Sequence, residues 1–221
     1  MGGLRGKRQV GGDEEPPWAR NHGTRRVVKE YNHLASEIHR GISGVYGLSL
    51  PDDTDVSRWH VKMKEFDAAS PGGAQLNCDL TELHRRYDVE GCLTLEILFP
   101  SDYPIAPPFI RVVTPRCVWY TGHVTAGGSV CVEALTQTPG SPRAWRQQFA
   151  ISAMLETVKL TMIHVEPVII RTANGPGGIA GPLRVDLDRR YNFCDPTVPY
   201  SLCQAKNAFA RSLAHHAENG W

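Results

Sequence analysis

Trp59, Val61 and Met63 alternate with His60, Lys62 and Lys64, and this period of two predicts a strand buried on one face and wet on the other. The alternation returns at Leu93, Leu95, Ile97 and Phe99, and Phe109–Val113 forms a third apolar run. Three strands in sequence with turns between them read as an antiparallel meander. Elsewhere the period lengthens. Val28, Tyr31, Leu34 and Ile38 recur at helical spacing, with Thr24 as a cap and Gly41 just past the end. Arg25, Arg26 and Lys29 fall largely on the polar side of that helix. Ile151, Met154, Leu155, Val158 and Met162 mark a long buried helix. Leu202, Ala205, Phe209 and Leu213 stripe a last one, starting near Pro199 and ended by Asn219-Gly220. A short helix is expected in LNCDLTELHRRYD, after a Ser-Pro-Gly-Gly turn. The order is helix, three strands or more, helix, helix. It implies an α+β fold, an antiparallel meander sheet flanked by an N-terminal helix and C-terminal helices.

Two stretches fall outside this pattern. Residues 1–22 are rich in Gly, Pro and charge, and are expected to form a disordered tail ahead of one core domain over 23–221. Residues 166–197 hold several glycines and prolines and read as an irregular insertion, functional or mobile.

Composition narrows the function more than the fold. With 41% apolar and 21% charged residues and a net charge of +1, the chain advertises neither a nucleic-acid face nor an acidic tail. No run reaches the ~18 apolar residues of a membrane span, and the N-terminus has no apolar stretch like that of a secretory signal. A cytoplasmic or nuclear location is the expectation. The six cysteines form no CxxC pair and have no matching His pair, so neither a metal site nor a disulfide framework is expected. Five read as ordinary thiols. Cys131 does not.

Cys131 lies near the end of a distinctive stretch, LFPSDYPIAPPFIRVVTPRCVWYTGHVTAGGSVCVEAL (98–135). An apolar strand enters a proline-locked turn, and a glycine-rich loop then delivers one cysteine with Glu133 two residues on. Gly127-Gly128 lets the backbone approach closely, and Val130 can anchor the loop in the core. A thiol held in this way suits acyl transfer, because sulfur attacks readily and leaves as thiolate.

Phe99-Pro100, Tyr103-Pro104, Pro107-Pro108 and Gly128-Ser129-Val130-Cys131 resemble the active-site half of ubiquitin-conjugating enzymes. The family's His-Pro-Asn motif is missing: eight residues before Cys131 stands His123, within Thr121-Gly122-His123. That departure is shared by the Q-type branch. WHVKMKEFD, NCDLTELHRRYD, YPIAPPFIRVV, VCVEALT and NGW look similar to it as well. The likeness runs from about Thr24 to Trp221, broken by the long loop between Cys131 and Trp145 and by residues 166–197.

The resemblance implies that Cys131 carries ubiquitin as a thioester. It implies that His123 holds the oxyanion or takes a proton, and that Glu133 orients or deprotonates the incoming nucleophile. It also implies partner contacts at Arg25, Arg26, Lys29, Ile105 and Trp145, where the activating enzyme and ubiquitin ligases would bind. Trp145-Arg146-Gln147 replaces the usual Trp-Ser-Pro. No bound cofactor is implied, since ATP is consumed upstream by the activating enzyme. Two alternatives stay open: a catalytically silent ubiquitin- or ligase-binding scaffold on the same fold, and a cysteine hydrolase with His123 as base.

Overall fold

In the computed structural model, residues 22–42, 44–138, 140–166, 168–172 and 175–219 are described. The expected tail over 1–22 lies outside them apart from His22, as does Gly220 at the foreseen end of the last helix.

The chain begins with α1 (His22–His39), which starts before Thr24, so Thr24 lies within the helix and does not cap it. Strands β1 (Val45–Ser49), β2 (Arg58–Met63), β3 (Leu93–Leu98) and β4 (Phe109–Thr114) pair in sequence order, all antiparallel. The three expected strands are therefore present, with β1 added at the edge. Trp59, Val61, Met63, Leu93, Leu95, Ile97, Ile110 and Val112 point to one buried face. On that face α1 sets Tyr31 edge-on against Trp59, with ring centroids 5.2 Å apart. The helix α3 (Ile151–Ile163) buries Ile151, Met154, Leu155, Val158 and Met162 in the same core, as its spacing predicts.

The short helix expected at LNCDLTELHRRYD is in fact α2 (Pro71–Tyr87), and it begins in the Ser-Pro-Gly-Gly stretch read as a turn. Pro71 suits the first helical turn, where its missing N–H costs nothing. Gly72 and Gly73 follow because a Cβ at either would lie 2.2 Å from the Ile163 carbonyl oxygen or 2.1 Å from that of Asp67. Close contact with the end of α3 thus overrides helix propensity. Asp79 in α2 is buried and accepts from Arg184 Nε (2.7 Å), Arg184 Nη2 (3.1 Å), Val185 N (3.1 Å) and Gln75 Nε2 (3.0 Å). It fastens α2 to the later part of the 166–197 insertion.

The insertion is less irregular than its composition suggests. Within 166–197 lies a two-stranded antiparallel ribbon, β5 (Val168–Thr172) and β6 (Gly175–Ala180). Its continuation is ordered by the buried Asp186, whose carboxylate accepts from the backbone N–H groups of Arg190, Tyr191 and Asn192 at 2.8–3.1 Å.

The last helix, α4 (Leu202–Asn219), lies over the outer side of β4. Phe209 stands edge-on to Phe109, 5.4 Å between ring centroids. Arg111 on that face donates from Nη1 to the Tyr200 carbonyl (2.7 Å) just ahead of the helix, and from Nε to Glu96 (2.6 Å). Ala205 is buried as the stripe predicts, and so is Ala208, which the stripe did not include, whereas Leu213 is exposed.

Candidate active site

After β4 the chain turns through Thr121–Gly128 and returns antiparallel to its own start, with isolated bridges Val124↔Val130 and Arg111↔Ser129. Val130 is buried in the core and its N–H donates to the Ile110 carbonyl (3.0 Å). Gly128 sits at φ +89°, and a Cβ there would meet the Tyr200 ring at 2.7 Å. Only glycine allows this approach. Three residues on, Cys131 donates its N–H to the His123 carbonyl (2.8 Å), so the residue eight positions before it lies beside the thiol's backbone. His123 itself has φ +58°.

A thiol that exchanges an acyl group between two proteins is expected on an exposed loop. Instead Cys131 is 6% exposed, because α4 passes over it and brings Ser212 Oγ to 3.0 Å from Sγ. Beside the sulfur opens a cavity of about 790 Å³, lined by His123, Cys131, Glu133, Phe149, Met154 and His216 among others. The three residues foreseen for the chemistry, Cys131, His123 and Glu133, therefore border one space. Ser212 and His216 were missed. The signal available was their spacing: they are four apart, on the face that continues from Ala205 and Ala208.

Burial pushes the Cys131 thiol up from its ordinary value, against a smaller downward pull from the Ser212 hydrogen bond. Crowding by protein lowers His123, outweighing the bond with the Cys131 backbone that favours its charged form. His216 is lowered by desolvation and by the neighbouring His215. Near neutral pH the site thus offers a protonated thiol beside imidazoles able to take a proton. Glu133 opens a 3-10 turn (Glu133–Leu135), and its carboxylate accepts from the Ser141 hydroxyl, which holds it at the cavity wall.

The foreseen partner residues divide. Ile105 is 60% exposed at the tip of the proline turn, and Arg25 and Lys29 are exposed on α1. Arg26 is engaged internally: it pairs with the buried Glu30 (Nη2 to Oε1, 2.6 Å), whose Oε2 accepts from the Ile151 N–H (3.1 Å) at the start of α3. Trp145 is buried, a correction to its reading as partner surface. Its Nε1 donates to the Pro104 carbonyl (2.9 Å) and its ring packs by Tyr103 and Phe149, so it supports the turn that presents Ile105. Among the described residues no cluster of His, Cys, Asp and Glu is arranged to hold a metal, and no helix is long and apolar enough to cross a membrane.

A four-stranded antiparallel meander with flanking helices, followed by a tightly held cysteine loop, is the architecture that the motifs imply. A family model described as "Ubiquitin-conjugating enzyme" matches residues 77–174, from the middle of α2 to the β5–β6 ribbon. Over that segment the chain is similar to the ubiquitin-conjugating enzyme family. Its similarities fall on the Q-type side. It is 27% identical over 198 residues to the Q-like ubiquitin-conjugating enzyme protein CG4502 of Drosophila melanogaster, covering 90% of this chain and 52% of that protein. It is 27% identical over 199 residues to "Ubiquitin-conjugating enzyme E2 Q1" of Homo sapiens, covering 90% and 38%. To the Q-like ubiquitin-conjugating enzyme protein 1 of Homo sapiens it is 29% identical over 146 residues, covering 66% and 78%. The chain spans about half the length of the first of these relatives and less of the second.

Proposed function

We propose that the protein accepts ubiquitin from the ubiquitin-activating enzyme as a thioester on Cys131. It then transfers it to a lysine, or another nucleophile, of a protein substrate, usually with a ubiquitin ligase. The observation that carries this reading is the setting of Cys131. A thiol stands at the end of a glycine loop pinned to the core at Val130, beside a cavity bordered by His123 and Glu133. In charging, Sγ gives up its proton and attacks the carbonyl carbon held by the activating enzyme's sulfur, the new C–S bond forms, and that enzyme's sulfur leaves as thiolate and takes up a proton. In discharge, the acceptor attacks the same carbon and Cys131 leaves as thiolate. His123 takes a proton from the acceptor or donates to the oxyanion, and Glu133 orients an incoming amine or hydroxyl. ATP acts upstream, in the activating enzyme, and the protein itself uses no bound cofactor. Cytoplasm and nucleus are where such partners meet it.

The burial of Cys131 beneath α4 favours a second reading, a catalytically silent ubiquitin- or ligase-binding scaffold. A charging assay with activating enzyme, ATP and ubiquitin separates the two. A reducible adduct of one ubiquitin, lost in Cys131→Ala, is the expected result. No adduct under conditions that charge a control enzyme selects the scaffold.

A further inference from the structure

Acyl transfer through a cysteine builds negative charge at two atoms: the carbonyl oxygen during attack, and the sulfur as the acceptor displaces it. A fixed donor aimed at both lowers the barrier, and removing one such donor typically slows a reaction by about 10²–10³-fold. The His123 carbonyl accepts from the Cys131 N–H, and the His123 ring is bonded to the Cys131 backbone, whereas the hydroxyl beside the sulfur itself comes from α4.

We propose that Ser212 of α4 is a catalytic donor, its hydroxyl holding the oxyanion and the departing thiolate of Cys131. The proposal deepens the thioester reading given above and rests on it. Ser212 Oγ stands 3.0 Å from Sγ. With a neutral thiol either atom can donate, but toward a thiolate the hydroxyl must. The oxyanion forms two bonds from Sγ, so rotation of the serine side chain carries the same O–H from one charge to the other.

The register of α4 fixes this aim. Arg111 Nη1 holds the Tyr200 carbonyl (2.7 Å), and the Tyr200 hydroxyl accepts from the Cys117 N–H (2.9 Å), so the entry to the helix is pinned at two points. Ala205 and Ala208 are then buried, and a Cβ added at Gly127 would lie 2.7 Å from Ala208 Cβ and 2.3 Å from the Gln204 carbonyl oxygen. Ser212 comes one turn after Ala208 on this face, and His216 one turn after Ser212. Where the small apolar stripe reaches the thiol, it changes to a hydroxyl and then an imidazole. A polar choice inside an otherwise apolar stripe marks a functional position. Ser212 also lies outside the segment matched by the family model, 77–174.

The test compares Ser212→Ala and Ser212→Thr with the wild type, using thioester charged to completion and then discharged onto free lysine or glycerol. Alanine retains the helix. The expected result is a maximal discharge rate down about 10²-fold in Ser212→Ala, restored at least tenfold by Ser212→Thr, with half-saturating acceptor concentration unchanged. A wild-type discharge rate in Ser212→Ala overturns the proposal. So does a reductant-stable, hydroxylamine-labile ubiquitin on Ser212, which would make the serine an acceptor. Alkylation of Cys131 by iodoacetamide, followed on its peptide by mass, needs no ubiquitin. A donor predicts slower alkylation in Ser212→Ala and recovery in Ser212→Thr, and unchanged or faster alkylation overturns the proposal by reducing Ser212 to a cover. A wild type that never charges overturns the thioester reading itself, and is told apart from these outcomes by the control enzyme.

Discussion

Glu96 is fully buried on the outer face of β3, where alternation alone would place a solvated residue. Its carboxylate accepts from Arg58 Nε (2.6 Å), from Arg111 Nε (2.6 Å) and, at 3.4 Å, lies against His60 Nε2. Burial by itself would raise its pKa. The bonds from His60 and Arg111, the Arg111 charge and the bond from Arg58 outweigh that and hold it at about 2, against an ordinary 4.5. A carboxylate lowered on folding stabilises the native state above its unfolded pKa and loses that contribution as pH falls through the folded one. The gap between 4.5 and about 2 corresponds to about 3 kcal/mol near neutrality, with about 0.4 kcal/mol left at pH 2. Glu96→Gln removes this charge and leaves Arg111 buried beside a neutral amide. Urea unfolding of wild type and Glu96→Gln at pH 7, 4, 3 and 2 should show a deficit of about 3 kcal/mol at pH 7 that closes over the acid window between 4.5 and 2. A deficit below about 1 kcal/mol at pH 7, or one independent of pH, would refute the claim that this carboxylate is charged and paired.

Further outcomes follow from other contacts. Gly128→Ala places a Cβ at φ +89° against the Tyr200 ring and should cost about 2–3 kcal/mol in urea unfolding; an unchanged midpoint would mean the loop yields without cost. Asp79→Ala leaves the Val185 N–H and the Arg184 guanidinium without their acceptor, and should cost about 2–3 kcal/mol and speed proteolytic cutting near residues 181–190. Wild-type cutting rates there would show that α2 is not what holds that segment.

Strands β2, β3 and β4 and helix α3 were legible because each is a regular element with one buried face, and burial imposes its period on the sequence. Alternation reveals which residues share a face but not what covers the other face, so it carries no sign that Tyr200 and α4 lie over the side of Glu96 and Arg111. The start of α2 was illegible for another reason: Gly72 and Gly73 answer to the backbone of Ile163 and Asp67, a constraint set by distant residues. In the candidate site, Cys131, His123 and Glu133 could be named together because a short span of chain carries all three, and they border one cavity. Ser212 lies 81 residues from the thiol, and nothing local to either ties them together. Trp145 was misplaced because its large apolar ring fits a partner surface as readily as an internal prop.

The order in which the polypeptide is made gives α4 one more consequence. Its packing partners described above, the β4 face, the glycine loop and the thiol, precede it in the chain. During synthesis the sheet and the Cys131 loop emerge well before residues 202–219 leave the ribosome, and folding proceeds from the N-terminal side. For that interval the sulfur lacks both its cover and its hydroxyl neighbour. A nascent chain is therefore open to oxidants and electrophiles at a residue that the finished protein keeps 6% exposed, and docking of the last helix closes that window as it completes the site.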